Sequence, residues 1–375
     1  MGVRSGRSAP IGGALALLAA FAAGAAAQDS TATARKPVRV CAGGDVTLGT
    51  NLDTIWAKTG ARRLKQDYGL SADPASLLAP LKPLFADADI VLVNVEMAIG
   101  SGAATRKCNA RSQNCYMFRA PVNAAAAIRG LGHDSARVVG NVANNHARDA
   151  GNDGVPITAG HLKRAGVSVV GMDTLATPVI TERGDTIGVL GFYTSSETPD
   201  VRDTVAVRRH VARAVEKYGT VIVTAHIGAE GVAAQRTRDS TEWFLASRID
   251  RGNPVAFARA AFEGGATLIV AHGPHVLRAA EWRDDRLVLY SMGNLVTYGP
   301  FSVVEPLNRG AVACVDLLDR LVTHAELRPT MQRASGAVAV DQSRRALRLV
   351  DSLSALDFPT TGAQVLPSGE LVRRP

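Results

Sequence analysis

Little in this sequence points toward nucleic acid. Aromatic residues make up 5% of the 375, and no basic run is interleaved with them, so neither the electrostatic stripe nor the stacking platforms of a nucleic-acid binder are present. Long apolar runs are missing beyond the first two dozen residues, which excludes a multi-span membrane protein. No internal repeat occurs, which excludes a solenoid. Cysteine is scarce, with four residues, and none has the paired spacing of a zinc ribbon. Cys108 and Cys115 share one polar loop and are expected to form a local disulfide in an oxidising compartment. Cys41 and Cys314 sit inside apolar runs and read as small buried core residues.

The amino terminus carries an address. Arg4 and Arg7 form a basic start, an apolar stretch follows from about Ile11 to Ala23, and Ala25-Ala26-Ala27 precedes Gln28. This is the pattern of a secretory signal peptide over residues 1–27. It implies a periplasmic or extracellular protein, or alternatively one anchored by an uncleaved segment. Residues 28–37 read as a linker. The formal net charge is +8, mildly basic and dispersed, which suits an anionic envelope polymer or lipid as partner.

From Val38 onward, short apolar runs alternate with helical patterns, so the expected fold class is α/β with one main domain over 38–330 and an extension over 331–375. Runs at 38–42, 89–93, 137–140, 167–170, 221–225 and 267–270 read as strands. Asp73-Pro74 and Asn253-Pro254 each place a capping side chain before a proline at the first helical position. Further helices are expected at 123–130, 153–165, 204–218 and 343–353. Hairpins are expected at 178–192, 279–290 and 311–327. The stretch 228–239 has no period and is assigned no element.

The chemistry lies where strands end. Ala271-His272-Gly273-Pro274-His275 follows a buried run and delivers two imidazoles. Other runs end in Gly44-Asp45, Asn94-Val95-Glu96, Asn144-Asn145-His146 and His226. Open α/β sheets present ligands at the carboxyl ends of their strands. Asp45, Glu96, Asn145, His226, His272 and His275 are thus expected metal ligands, and mixed carboxylate, amide and imidazole donors suit one or two divalent ions of zinc, manganese or iron. Each also has a plainer reading: Asp45 as a turn or cap, Asn144-Asn145 as a turn, His226 as a core histidine. His146, next to a ligand, is the expected general acid. Asn144, Glu230, Arg278 and Asn294 are the expected substrate-binding residues, with Arg278 and Asn294 orienting or neutralising an anion.

Six motifs carry a resemblance. Gly44-Asp45-Val46-Thr47-Leu48-Gly49, Asn94-Val95-Glu96, Ala143 to Gly151, His226-Ile227-Gly228-Ala229-Glu230, His272-Gly273-Pro274-His275-Val276 and Tyr290 to Leu295 occur in this order. Together they resemble the CapA family of capsule or poly-γ-glutamate synthesis proteins over about residues 38–300. The resemblance implies a fold similar to calcineurin-like metallophosphoesterases: a sheet sandwich flanked by helices, here with an additional C-terminal hairpin and helix. It also implies a role in cell-envelope polymer assembly, with an anionic capsular polymer and a membrane-bound polymer synthase as partners. The protein is then either a metal-dependent hydrolase or a non-catalytic binder using the same cleft. Four positions depart from the pattern: Ala271 and Ile227 replace the usual Gly and Trp, Thr47 stands where phosphoesterases carry a histidine, and Asn94-x-Glu96 replaces Gly-Asp.

Overall fold

Two β-sheets stand face to face, and their strands come from the apolar runs in the sequence. The structure, a computed structural model, describes residues 35–50, 54–101, 116–195, 198–244 and 248–375. The signal-peptide segment and the Cys108–Cys115 pair lie outside these residues. Lys36–Pro375 form one compact unit.

The first sheet contains β1 (Val38–Thr47), β2 (Ile90–Val95), β3 (Arg137–Asn141) and β4 (Val167–Val170). The second contains β5 (Thr177–Ile180), β6 (Thr186–Tyr193), β7 (Val221–His226), β8 (Leu268–His272), β9 (Ala280–Arg283) and β10 (Arg286–Leu289). β11 (Asn294–Thr297), β12 (Arg309–Leu318), β13 (Leu321–Ala334) and β14 (Ala337–Val340) return to the first sheet. Its order is β14-β13-β12-β1-β2-β3-β4, with β11 also pairing β1; the second runs β9-β10-β8-β7-β6-β5. β1 to β4 are mutually parallel, as are β6, β7, β8 and β10. In each sheet the parallel strands therefore end on one rim.

Period-2 alternation sorts the strand side chains into layers. Val40, Ala42, Ile90 and Leu92 meet Ile222, Leu268 and Val270 between the sheets. Cys41, Val91, Val93 and Val95 face the opposite side, under α2 (Pro74–Leu78), α3 (Ala124–Arg129) and α4 (Gly154–Arg164). Val221, Val223, Ile269 and Ala271 face α5 (Thr204–Tyr218) and α6 (Pro254–Glu263). The result is the expected sandwich flanked by helices. β13 runs through the expected boundary at residue 330, and α7 (Arg345–Asp357) adds Ala346, Leu347 and Val350 to the core between the sheets.

Local chemistry explains the helix starts. The Asn253 side chain accepts from the amides of Val255 and Ala256, both at 3.0 Å, and Pro254 opens α6. Asn253→Ala is expected to cost about 1 kcal/mol, read as a lower denaturant midpoint with an unchanged slope; an unchanged midpoint would deny the cap.

Three expectations are corrected. β1 does not break at Gly43-Gly44 but continues to Thr47, with a register irregularity between Ala42 and Asp45. Gly44 is required there, since a Cβ would lie 1.9 Å from the Gly293 carbonyl oxygen. A helix with no expected counterpart, α1, spans Thr54–Tyr68. Cys41 and Cys314 are not separate core residues: they are bonded to each other, facing pairs on antiparallel β1 and β12 with Cα atoms 4.0 Å apart.

Candidate metal centre at the sheet ends

Pairing register builds the centre. In the first sheet Asp45 lies beside Asn94 and Asn294, and Asn94 lies beside Asn141. In the second, His272 lies beside His226, and His226 beside Tyr193. Two polar rows thus end the strands of two packed sheets. Glu96 follows β2 directly, its amide donating to the Val46 carbonyl. His275 is carried past β8 by Gly273 at φ +111° and itself adopts φ +59°. That left-handed backbone costs about 1–3 kcal/mol for a non-glycine residue. The ring is held by its Nδ1, 3.0 Å from Asn294 Oδ1 and 3.1 Å from Asp45 Oδ2.

Five expected ligands converge. His272 Nδ1 lies 3.9 Å from Asp45 Oδ1, His275 Nε2 3.6 Å from Glu96 Oε1, and His226 Nε2 3.7 Å from the same oxygen. Asn94 closes the ring, with Nδ2 donating to Asp45 Oδ1 at 2.8 Å and lying 3.2 Å from His226 Nδ1. Asp45, Glu96, His226 and His272 are essentially without solvent exposure. Both Glu96 carboxylate oxygens, His226 Nε2 and His272 Nδ1 are buried without a hydrogen-bond partner. Buried polar atoms left this way are costly. Separations of 3.6–3.9 Å are too long for hydrogen bonds. They suit donors sharing one small cation held at about 2.0–2.2 Å. The residues therefore fit a divalent metal.

Electrostatics agree with this ligand set. Burial pushes the His272 imidazole down to about 4, only partly opposed by Asp45, so it is neutral at physiological pH. Its Nε2 lies 3.0 Å from the Thr224 hydroxyl, which leaves Nδ1 aimed at the cluster. Burial also holds His226 well below its ordinary value. Burial raises Glu96, and nearby Asp45 and Glu230 add to it, so its carboxyl is held well above the usual range. For Asp45, burial is outweighed by His275, His272 and His226, and the carboxyl is lowered. For His275, burial is outweighed by Glu96, Asp45 and Glu230, and the imidazole is pushed up to about 10. Without metal, the cluster holds extra protons.

Other expected residues take different places. Asn144 donates to Asn94 Oδ1 at 3.2 Å and to the Val95 carbonyl at 2.9 Å, while its own Oδ1 accepts the His146 amide. It braces the cluster. Asn145 lines a cavity of about 170 Å³ with Asn144, Tyr193, Ser195 and Thr198. His146 is buried, its Nδ1 against Asp149 Oδ2 and its ring against Phe118, with centroids 4.5 Å apart. Asn294 serves His275, as above, and also donates to the Leu307 carbonyl. Glu230 has one oxygen on Arg251 and the other 4.0 Å from His275 Nε2.

Arg278 corrects its expected role. Its guanidinium meets Glu242 twice, at 2.9 and 2.7 Å, and donates to the Ala234 carbonyl at 2.6 Å. At 1% exposure its charge is already neutralised, so it anchors the 228–242 loop rather than an anion. Thr47, at the position of a missing histidine, donates its hydroxyl to the Glu96 carbonyl.

Asn94 and Asp149 stood in motifs without a role assigned, and Asn141, Thr224 and Arg251 were overlooked in the sequence. Asp149 carried a signal, three residues beyond His146 within a motif. Arg251 carried none, because its pairing with Glu230 bridges two loops.

The family model described as Bacterial capsule synthesis protein PGA_cap matches residues 39–298. The PGA biosynthesis protein CapA of Bacillus subtilis (strain 168) is 28% identical over 172 residues, covering 42% of this chain and 41% of that protein. The match thus spans less than half the length of that relative. Two solved structures are distantly similar. TT1561 of Thermus thermophilus has a TM-score of 0.37 at 10% identity, covering 78% of this chain and 98% of that one. GAP50, the anchor in the inner membrane complex of Plasmodium, has a TM-score of 0.33 at 9% identity, covering 85% and 95%.

Proposed function

Since the chain belongs to the bacterial capsule synthesis protein family, we propose that it is an exported protein of capsular or poly-γ-glutamate assembly with a metal-dependent hydrolase site. Its substrate class is an anionic envelope polymer, cut or transferred at a phosphoester or amide, with a membrane-bound synthase as partner. The observation that carries the site is the set of buried donor atoms without hydrogen-bond partners on Glu96, His226 and His272. Export is supported by the amino-terminal pattern and by the Cys41–Cys314 bridge, since such bonds persist in oxidising compartments.

Asp45, Glu96, His226, His272 and His275 would hold the ion. Bound there, a divalent metal supplies an activated water and a Lewis acid for the scissile group. The remaining work belongs to the chain. Asp149 fixes the His146 ring through Nδ1, so proton transfer to a leaving oxygen falls to Nε2. Asn144 links His146 to the cluster through Asn94. Burial excludes bulk water from the ligand set.

Elemental analysis of the purified full chain tests this. At least one equivalent of zinc, manganese or iron is expected, and His275→Ala should lose it. Uptake displaces protons from His275 and Glu96, so apparent affinity should rise as pH climbs through neutrality. A protein that takes up no divalent metal at any pH between about 6 and about 9 would defeat the proposal. The competing reading, a binder of polymer or synthase, is favoured by Thr47, whose hydroxyl serves a carbonyl instead of a metal. Metal bound without turnover of any phosphodiester or γ-glutamyl amide would select it.

A further inference from the structure

A cavity of about 540 Å³ lies between α1 and the segment after β11, away from the metal centre. This is within the ~300–1,000 Å³ range of small-ligand sites. Trp56, Tyr68 and Phe301 give it aromatic walls, and its charged lining residues are Arg63 and Asp67. No ion pair engages Arg63 among the described residues. The helix carries Lys58, Arg62, Arg63 and Lys65 against Asp67 alone, and all five are exposed.

Gly60 makes little sense for α1 on propensity grounds, because a mid-helix glycine is worse than alanine. Its neighbour explains it. A Cβ on Gly60 would lie 2.8 Å from the Trp56 indole. The missing side chain lets the indole lie across the helix, one turn on. Tyr298 supports it edge-on, with centroids 5.3 Å apart. From this platform an aromatic path runs inward. Phe301 stacks on Phe118 at 4.6 Å, and Phe118 lies against His146 at 4.5 Å. The cavity is therefore joined by packed rings to the His146–Asp149 pair.

We propose that this cavity is a binding subsite for an acidic saccharide, one or two sugar rings bearing carboxylates, belonging to the polymer served by the metal centre. The indole and phenyl faces suit the C–H faces of a sugar ring, and Arg63 suits its carboxylate. A γ-linked glutamate chain has charge but no ring to set on Trp56. The assignment rests on the polymer reading above for its place along the cleft, while the binding itself needs neither metal nor turnover.

The test is tryptophan fluorescence of the full chain, titrated with oligogalacturonate and, at matched charge, with oligo-γ-glutamate. Trp56 is one of three tryptophans, and Trp56→Phe identifies its share of the signal. Oligogalacturonate is expected to change that signal and bind at least tenfold tighter than oligo-γ-glutamate. Trp56→Ala should weaken binding about tenfold or more, and Arg63→Gln should weaken it and flatten its salt dependence. Gly60→Ala separates recognition from folding: alanine favours the helix, so stability should hold while binding falls. Equal binding of the two probes, or saccharide affinity indifferent to Trp56→Ala and Gly60→Ala, overturns the assignment. Loss of the hydrolase reading with these results intact would leave the subsite standing; the reverse outcome would remove only the subsite.

Discussion

Replacing His146 by alanine is expected to leave bound metal unchanged while lowering turnover about 10²–10⁴-fold, the size of general acid assistance. The separation of the two readouts follows from geometry. His146 is not among the five side chains that ring the cluster, whose donors come from Asp45, Glu96, His226, His272 and His275. Its backbone amide, on Asn144, ties it to the residues that brace them. Its imidazole instead belongs to Asp149, whose Oδ2 also accepts the Phe118 amide at 2.7 Å. That second bond keeps the carboxylate in place when His146 is removed, so the pocket should persist. His146→Gln should rescue little, because an amide does not titrate. Asp149→Asn should fall between, retaining the ring but losing its tautomer control. The loss should be smallest for substrates with a good leaving group, which need no protonation. A variant that loses metal together with activity would place His146 in the ligand set; one that keeps full turnover would remove His146 as the general acid.

The five convergent side chains were legible because each is a polar residue at the end of an apolar run, and parallel strands bring such ends to one rim. Asn253-Pro254 and Asp73-Pro74 were legible because caps are local chemistry. What was not legible depends on partners far along the chain. Arg278 looked like a free cation beside the site until Glu242, 36 positions earlier, occupied its guanidinium. Asn144 looked like a substrate contact until the turn after β3 brought its amide within 3.2 Å of Asn94 Oδ1. α1 left no clear stripe because Gly60 and a run of cations dilute its apolar face, of which only Leu64 is buried. The same dilution is what opens that helix to solvent and to the neighbouring cavity.

Removal of the Cys41–Cys314 bridge is expected to cost about 5 kcal/mol at most. Neither residue's sequence surroundings suggested it, because each lies in a buried strand and the two are 273 residues apart. That distance is what makes the bond matter. A crosslink between the first strand and one of the last closes nearly the whole domain into a loop, and the entropy removed from the unfolded chain grows with loop length. In the folded state the bond joins residues already facing each other across an antiparallel ladder, between strands that share the first sheet's centre. Cys41→Ala with Cys314→Ala should therefore lower the denaturant midpoint strongly, chiefly through the unfolded state, with the metal centre assembled as before under native conditions. The single Cys41→Ser should do worse than the double alanine, since it adds a buried hydroxyl beside an unpaired thiol at 0% exposure. Peptide mapping without reduction should recover Cys41 and Cys314 in one linked fragment. Two free thiols in the native protein, or an unchanged midpoint in the double variant, would remove the bridge as a source of stability and with it the structural support for an oxidising compartment.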